Sequence, residues 1–151
     1  MLLDDIMQQL AKNGLAIFST ADQDGNPHAR PIHIGLANED GIYFMTSTDT
    51  HFYQQLMTIP KVAITSYREE DYFIEVIRIE GDVRPVDRAM LDVLLPNHPY
   101  IDQVYPNHTD HSSMQVFQCY QGVGFYHSLT QGHRYTFDFK SKQSSRRLII
   151  S

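Results

Sequence analysis

The feature that most limits what this chain can fold into is its punctuation. From residue 15 onward the apolar runs are short, alternate with polar residues, and are cut by turn chemistry. "LAIFSTA" (15–21) and "HARPIHIGL" (28–36) flank "DQDGNP", which reads as a hairpin turn. "NEDG" makes a second turn and "GIYFMTS" (41–47) a third strand. "KVAITSY" (61–67) is a fourth, and "DYFIEVIRIEGDVRPV" (71–86) a long fifth, bent at Gly81, where a missing side chain permits a bulge. "QVFQCYQGVGFYHSL" (115–129) and "HRYTFDF" (133–139) supply the last two.

Helical spacing is confined to connectors. Leu2, Leu3, Ile6, Met7, Leu10 and Ala11 share a face ahead of a stop at Gly14. "TDTHFYQQLMTIP" is capped at Asp49 or Thr50 and stopped by Pro60, and "DRAMLDVLLP" (87–96) forms a third helix. Six or seven mostly antiparallel strands joined this way predict a mainly β fold: a small barrel whose closure removes sheet edges. A six-stranded barrel fills its interior with side chains. A ligand of more than a few atoms must then bind outside it or between subunits.

The totals narrow the function. The chain has 151 residues, 18 acids against 12 bases and a formal charge of −6. That is the wrong sign for a nucleic-acid partner, and Arg146-Arg147 sits in a polar tail expected to fray. With Cys119 as its one cysteine, a buried thiol in a reducing compartment is expected. "MLLDDIMQQL" lacks the bases of a signal peptide and no long apolar run follows, so neither export nor a membrane is expected and the location reads as cytoplasmic. The Asn107 sequon has no meaning without export. One domain over residues 1–140 and a tail over 141–151 complete the layout.

Few residues carry chemistry by pattern. Arg30 shares a strand face with Ile32, Ile34 and Leu36, and Pro31 follows it. A guanidinium at the end of an apolar stripe is either a surface arginine reaching water or an anion site at the barrel rim. His108 and His111 lie three apart outside any helix with no second ligand pair nearby, so no metal site is expected. His127 and His133 flank "SLTQG", a polar hairpin turn or the lip of a groove. Tyr100, Ile101, Val104 and Tyr105 lie in an irregular stretch that covers a ligand or packs against a partner. With no nucleophile–base set, paired catalytic carboxylates or Gly-rich phosphate loop, no catalytic residue is named.

Two blocks read together, "DGNPHARPIHIGL" and "GIYFMTSTDTHFYQQLMTIPKVAI", place a strand with Arg-Pro before a turn, a strand ending in Thr-Ser, a capped helix, Pro and another strand. This order resembles the pyridoxamine 5′-phosphate oxidase-like family, from about Leu15 to Thr65 and more loosely to "GHRYTFDF". The resemblance implies a six-stranded antiparallel split β-barrel of Greek-key topology, a homodimer holding FMN in a groove between subunits, and oxidoreductase activity on a small organic substrate. It implies that Arg30, beside Pro31, holds the phosphate or ribityl chain, and that Ile32 and His33 run along the flavin. Met45 and Thr46 would meet the ring's polar edge, with Ser47, Thr50 and His51 facing the phosphate; His133 and Arg134 could approach from the partner subunit. A helix N-terminus suits a phosphate. The chain departs from the family where relatives carry Lys or Arg: it has Thr48, Asp49, His51 and Phe52, then Gln54-Gln55. Vitamin B6 phosphate oxidation is not expected, because no basic set for a second phosphate is visible. A haem- or tetrapyrrole-binding barrel, or a cofactor-free binding or sensor module, are the alternatives.

Overall fold

A computed structural model describes residues 3–94 and 113–141. The elements in order are α1 (Leu3–Asn13), β1 (Leu15–Ala21), β2 (Pro27–His33), β3 (Leu36–Asn38), β4 (Gly41–Ser47), α2 (His51–Thr58), β5 (Lys61–Glu70), β6 (Phe73–Pro85), α3 (Ala89–Leu94), β7 (Met114–Ser128) and β8 (His133–Lys140).

One eight-stranded sheet runs β2-β1-β5-β6-β7-β4-β3, with β8 paired to β7 beside that path. Laid flat, seven strands would separate β2 from β3 by about 29 Å. Yet only Ile34 and Gly35 join those two strands, a link reaching about 11 Å at full extension. The sheet must therefore curl back on itself, and the result is a split barrel. Every ladder in it is antiparallel.

The six or seven strands expected become eight among the described residues, and the eighth has a local origin. "HARPIHIGL" is not one strand. Ile34 N–H still bonds the Gly14 carbonyl at 2.6 Å, one step past the Leu15–His33 pair, whereas Gly35 N–H bonds the Tyr43 carbonyl at 2.8 Å. The chain turns there, and Leu36–Asn38 pairs with β4 instead. A Cβ on Gly35 would lie 3.0 Å from the Tyr43 carbonyl oxygen, so the approach is close. In place of the bulge expected at Gly81, the register shifts between Asp82 and Val83, and the extra residue, Tyr120, is on β7.

Inward positions repeat every second residue and build the main core: Ala16 and Phe18 on β1, Ile42 and Phe44 on β4, Val62 and Ile64 on β5, Ile77 and Ile79 on β6. Phe18, Phe44, Phe52 and Phe117 pack ring on ring, with centroids 4.8 to 6.2 Å apart. The stripe of α1 closes on the same core through Ile6, Met7 and Leu10. Strand β4 is buried on both faces. Its alternate residues Tyr43 and Met45 join Leu91, Leu94, Met114 and Val116 in a second cluster under α3. The irregular stretch through residue 112, with its aromatics and His108/His111, and the tail from residue 142 lie outside the described residues.

Candidate functional site

The site begins where two inward stripes both turn polar at the same end of the barrel. On β1 the series Ala16, Phe18 ends in Thr20; on β2 the series ends in Arg30, the register partner of Phe18. Helix α2 lies across that end, with Phe52 and Leu56 buried. The Arg30 head meets all three elements. Its Nη1 donates to Thr20 Oγ1 at 2.8 Å and, at longer range, to the carbonyls of Phe18 (3.3 Å) and His28 (3.4 Å). Its Nη2 donates to Gln55 Oε1 at 2.7 Å. The guanidinium carbon stands 4.5 Å from the centroid of the Phe52 ring. Burial pushes the guanidinium below the usual arginine range, and it stays charged at neutral pH. The two readings of Arg30 thus converge on a half-buried cation. It clasps α2 to the β1–β2 hairpin, and among the described residues its Nε–H has no acceptor.

The loop into α2 is wired internally. Thr50 is the N-cap: its Oγ1 accepts from the Tyr53 N–H at 3.0 Å and donates to the Ser47 carbonyl at 2.9 Å. With that proton committed, Thr46 is the donor in the 2.9 Å contact between the Thr46 and Thr50 hydroxyls. Ser47, fully buried, reaches Ser113 at 3.4 Å. The hydroxyls of Thr46, Ser47 and Thr50 shape the loop. What remains for an anion is the Nε edge of Arg30, the N–H groups of His51 and Phe52 that lack intrahelical partners, and exposed His51 and Thr48. Asp49, also exposed, is the opposing charge. Phe52 is a core residue.

The remaining expected residues separate. Pro31 and His33 are exposed on the outer face of β2, while Ile32 packs partly against the core. Met45 is 9% exposed and faces the second cluster. At the far hairpin, Arg134 Nε donates to His127 Nε2 at 3.3 Å, and His133 lies against Tyr135. Thr20 and Gln55, the partners that organise Arg30, were missed by sequence reasoning. The available signal was Thr20, a hydroxyl ending the β1 core stripe beside the arginine that ends the β2 stripe.

A groove of about 590 Å³ lies along β1, β5, β6 and β7, lined among others by Thr20, Ala63, Gly81 and Gly122. A second, of about 360 Å³, lies on the solvent side of α2 between Gln54, Gln55, His51 and the Asp22–Asp24 turn. Among the described residues no group of three or more His, Cys, Asp or Glu side chains could hold a metal, and no helix is long and apolar enough to cross a membrane.

A curled antiparallel sheet with an arginine against the first turn of a capped helix defines the class: a split barrel. Residues 2–118 match the family model for pyridoxamine 5′-phosphate oxidase, and the chain belongs to that family. It is 31% identical over 86 residues to pyridoxine/pyridoxamine 5′-phosphate oxidase 1 of Hydrogenovibrio crunogenus. That match covers 57% of this chain and 39% of the relative, so the chain spans well under half of that protein's length. Among solved structures it resembles a NimC/NimA family protein from Clostridium acetobutylicum, with TM-score 0.73 and 21% identity over 89% of this chain and 90% of that one. It also resembles a haem-binding protein from Mycobacterium smegmatis, with TM-score 0.62 and 13% identity over 91% of this chain and 60% of that one.

Proposed function

We propose that this chain is an FMN-binding oxidoreductase acting on a small organic substrate, working as a homodimer with the cofactor at the subunit interface. The observation that carries the reading is Arg30: a guanidinium positioned by Thr20 and Gln55, lying against the first turn of α2, with its Nε edge open. The donor set fits the single phosphate of a mononucleotide, through one cation and one helix end. Arg30 holds the phosphate with the N–H groups of His51 and Phe52. Ile32 and His33 run along the ring from β2. Thr46, Ser47 and Thr50 keep the loop in shape, and Met45 contributes by seating α3. Bound FMN supplies the electron- and hydride-transfer chemistry, and the chain supplies placement and exclusion of water. Exposed Leu15 and Ile17 on β1 and Tyr67 on β5, at 49, 44 and 58% exposure, offer an apolar face for the second copy.

The test is a fluorescence titration of FMN against the apo protein. Arg30→Ala should weaken binding by about 2–3 kcal/mol, roughly thirty- to a hundred-and-fifty-fold. Arg30→Lys should recover only part of that, because an ammonium lacks the planar fork. Unchanged FMN affinity in Arg30→Ala would remove Arg30 from the site.

A second reading, haem binding, is favoured by the likeness to the haem-binding fold neighbour. It needs an axial imidazole. His33, His51 and His133 are exposed, whereas His28 is tied to Asp22 at 2.9 Å. A Soret band in place of flavin absorbance would select this reading.

A further inference from the structure

The side-chain oxygen of Gln55 stands where an anion oxygen would stand. Its Oε1 accepts from Arg30 Nη2 at 2.7 Å and from Thr20 Oγ1 at 2.5 Å, while Thr20 Oγ1 accepts from Arg30 Nη1 at 2.8 Å. Two donors, one of them cationic, thus converge on one oxygen, the arrangement that binds carboxylates and phosphates, here filled by a neutral amide. The Phe52 ring closes the face of the guanidinium beside it. On the other side Gln55 borders the 360 Å³ polar groove, which has room for the amide to swing out.

Resting on the FMN reading above, we infer that Gln55 is an internal placeholder that sets how strongly this chain selects a phosphorylated flavin. With the amide in place, a phosphate reaches only the Nε edge of Arg30. With it displaced, the phosphate takes the Nη2 and Thr20 donors as well. The observed affinity is reduced by the fraction of molecules in which Gln55 is out. A flavin without a phosphate never meets this competition, so the barrel discriminates FMN from riboflavin less than its arginine alone would allow.

Two substitutions of similar size move the competitor in opposite directions. Gln55→Met keeps the stem and removes the acceptor. Gln55→Glu puts a carboxylate in the same place, where the charge of Arg30 holds it more firmly. The measurement is a fluorescence titration of apo parent and both variants with FMN and, separately, riboflavin, on samples whose folded state is checked by thermal melts. Gln55→Met should tighten FMN roughly tenfold and Gln55→Glu weaken it roughly tenfold, with riboflavin affinity moving less than twofold in either. FMN affinity that is unchanged, or that falls in both variants together, would overturn the inference, since loss of a purely structural clasp moves both the same way. If the parent and both variants bind no flavin at all, the FMN reading has failed, and the thermal upshift produced by inorganic phosphate decides the placeholder. A larger upshift in Gln55→Met than in the parent supports it, and an equal or smaller one overturns it.

Discussion

The Arg30 head is bonded to Thr20 and Gln55 and lies over a buried ring, so its removal should be felt by the fold as well as by the proposed phosphate. Arg30→Ala should cost about 1–2 kcal/mol of stability in a chemical melt, in addition to its effect on FMN. Asp49→Lys, at an exposed turn beside the helix end, should leave stability almost unchanged and tighten FMN by adding an attraction and deleting a repulsion; a titration that shows no change would place the phosphate elsewhere. A second charged cluster joins β5, β6 and β7 away from this site. Glu75, 2% exposed, accepts from Arg68 Nε at 3.3 Å and from the Tyr126 hydroxyl at 2.8 Å. Burial, then that hydrogen bond, pushes the Tyr126 hydroxyl up to about 12. Arg68→Ala would leave the carboxylate buried with one partner fewer and should cost about 2–3 kcal/mol by denaturant melt, the half-exposed arginine moderating the loss. Arg30 was legible as an anomaly because one charge interrupted an apolar stripe. Glu75 interrupts the stripe of Ile77 and Ile79 in the same way, but its meaning depends on Arg68 and Tyr126, which only the folded sheet brings to it.

At the scale of elements, the strands and helices followed from alternation and caps, whereas the places where strands end depended on backbone partners distant in sequence. The Thr50 cap and the Gly14 stop are local chemistry and were readable. The three-residue strand β3 was not, because it exists through its pairing with β4. Strands β6 and β7 cross at Gly81 and Gly122, which face each other in register. A Cβ on Gly122 would lie 2.2 Å from the Glu80 carbonyl oxygen and 2.6 Å from Gly81 Cα, both main-chain atoms that cannot move aside cheaply. Gly122→Ala should therefore destabilise by about 2–3 kcal/mol, read as a lowered denaturant midpoint. The β1–β2 turn has its own pH signature. A hydrogen bond from His28, with N–H groups of the turn, holds the Asp22 carboxyl down at about 2 from its ordinary 3.8. Because the folded value is depressed, the contribution of Asp22 is present above pH 3.8 and is lost as the pH falls through about 2. A carboxyl-carbon NMR titration should give a midpoint near 2 for Asp22; a midpoint at the ordinary value would show that the turn does not hold it.

For the whole molecule, the curl of the sheet turns Leu15, Ile17 and Tyr67 outward beside the 590 Å³ groove. Light scattering at micromolar concentration should show a dimer, and Ile17→Glu should shift it toward monomer by setting a charge in the apolar face; a monomeric parent would remove the interface groove from the proposal. The split barrel was legible because the order of hairpin, Thr-Ser strand, capped helix and strand runs in sequence without a gap from about Leu15 to Thr65. The proposed cofactor was less legible, because a phosphate site there would depend on which donors remain after Thr20, Gln55 and the loop hydroxyls have satisfied one another. The most direct test of the central claim is the absorbance spectrum of freshly purified protein, with mass spectrometry of the ligand released on denaturation. The expected result is flavin absorbance and the mass of FMN. A colourless protein that also fails to take up added FMN, or one that shows a Soret band, would contradict it.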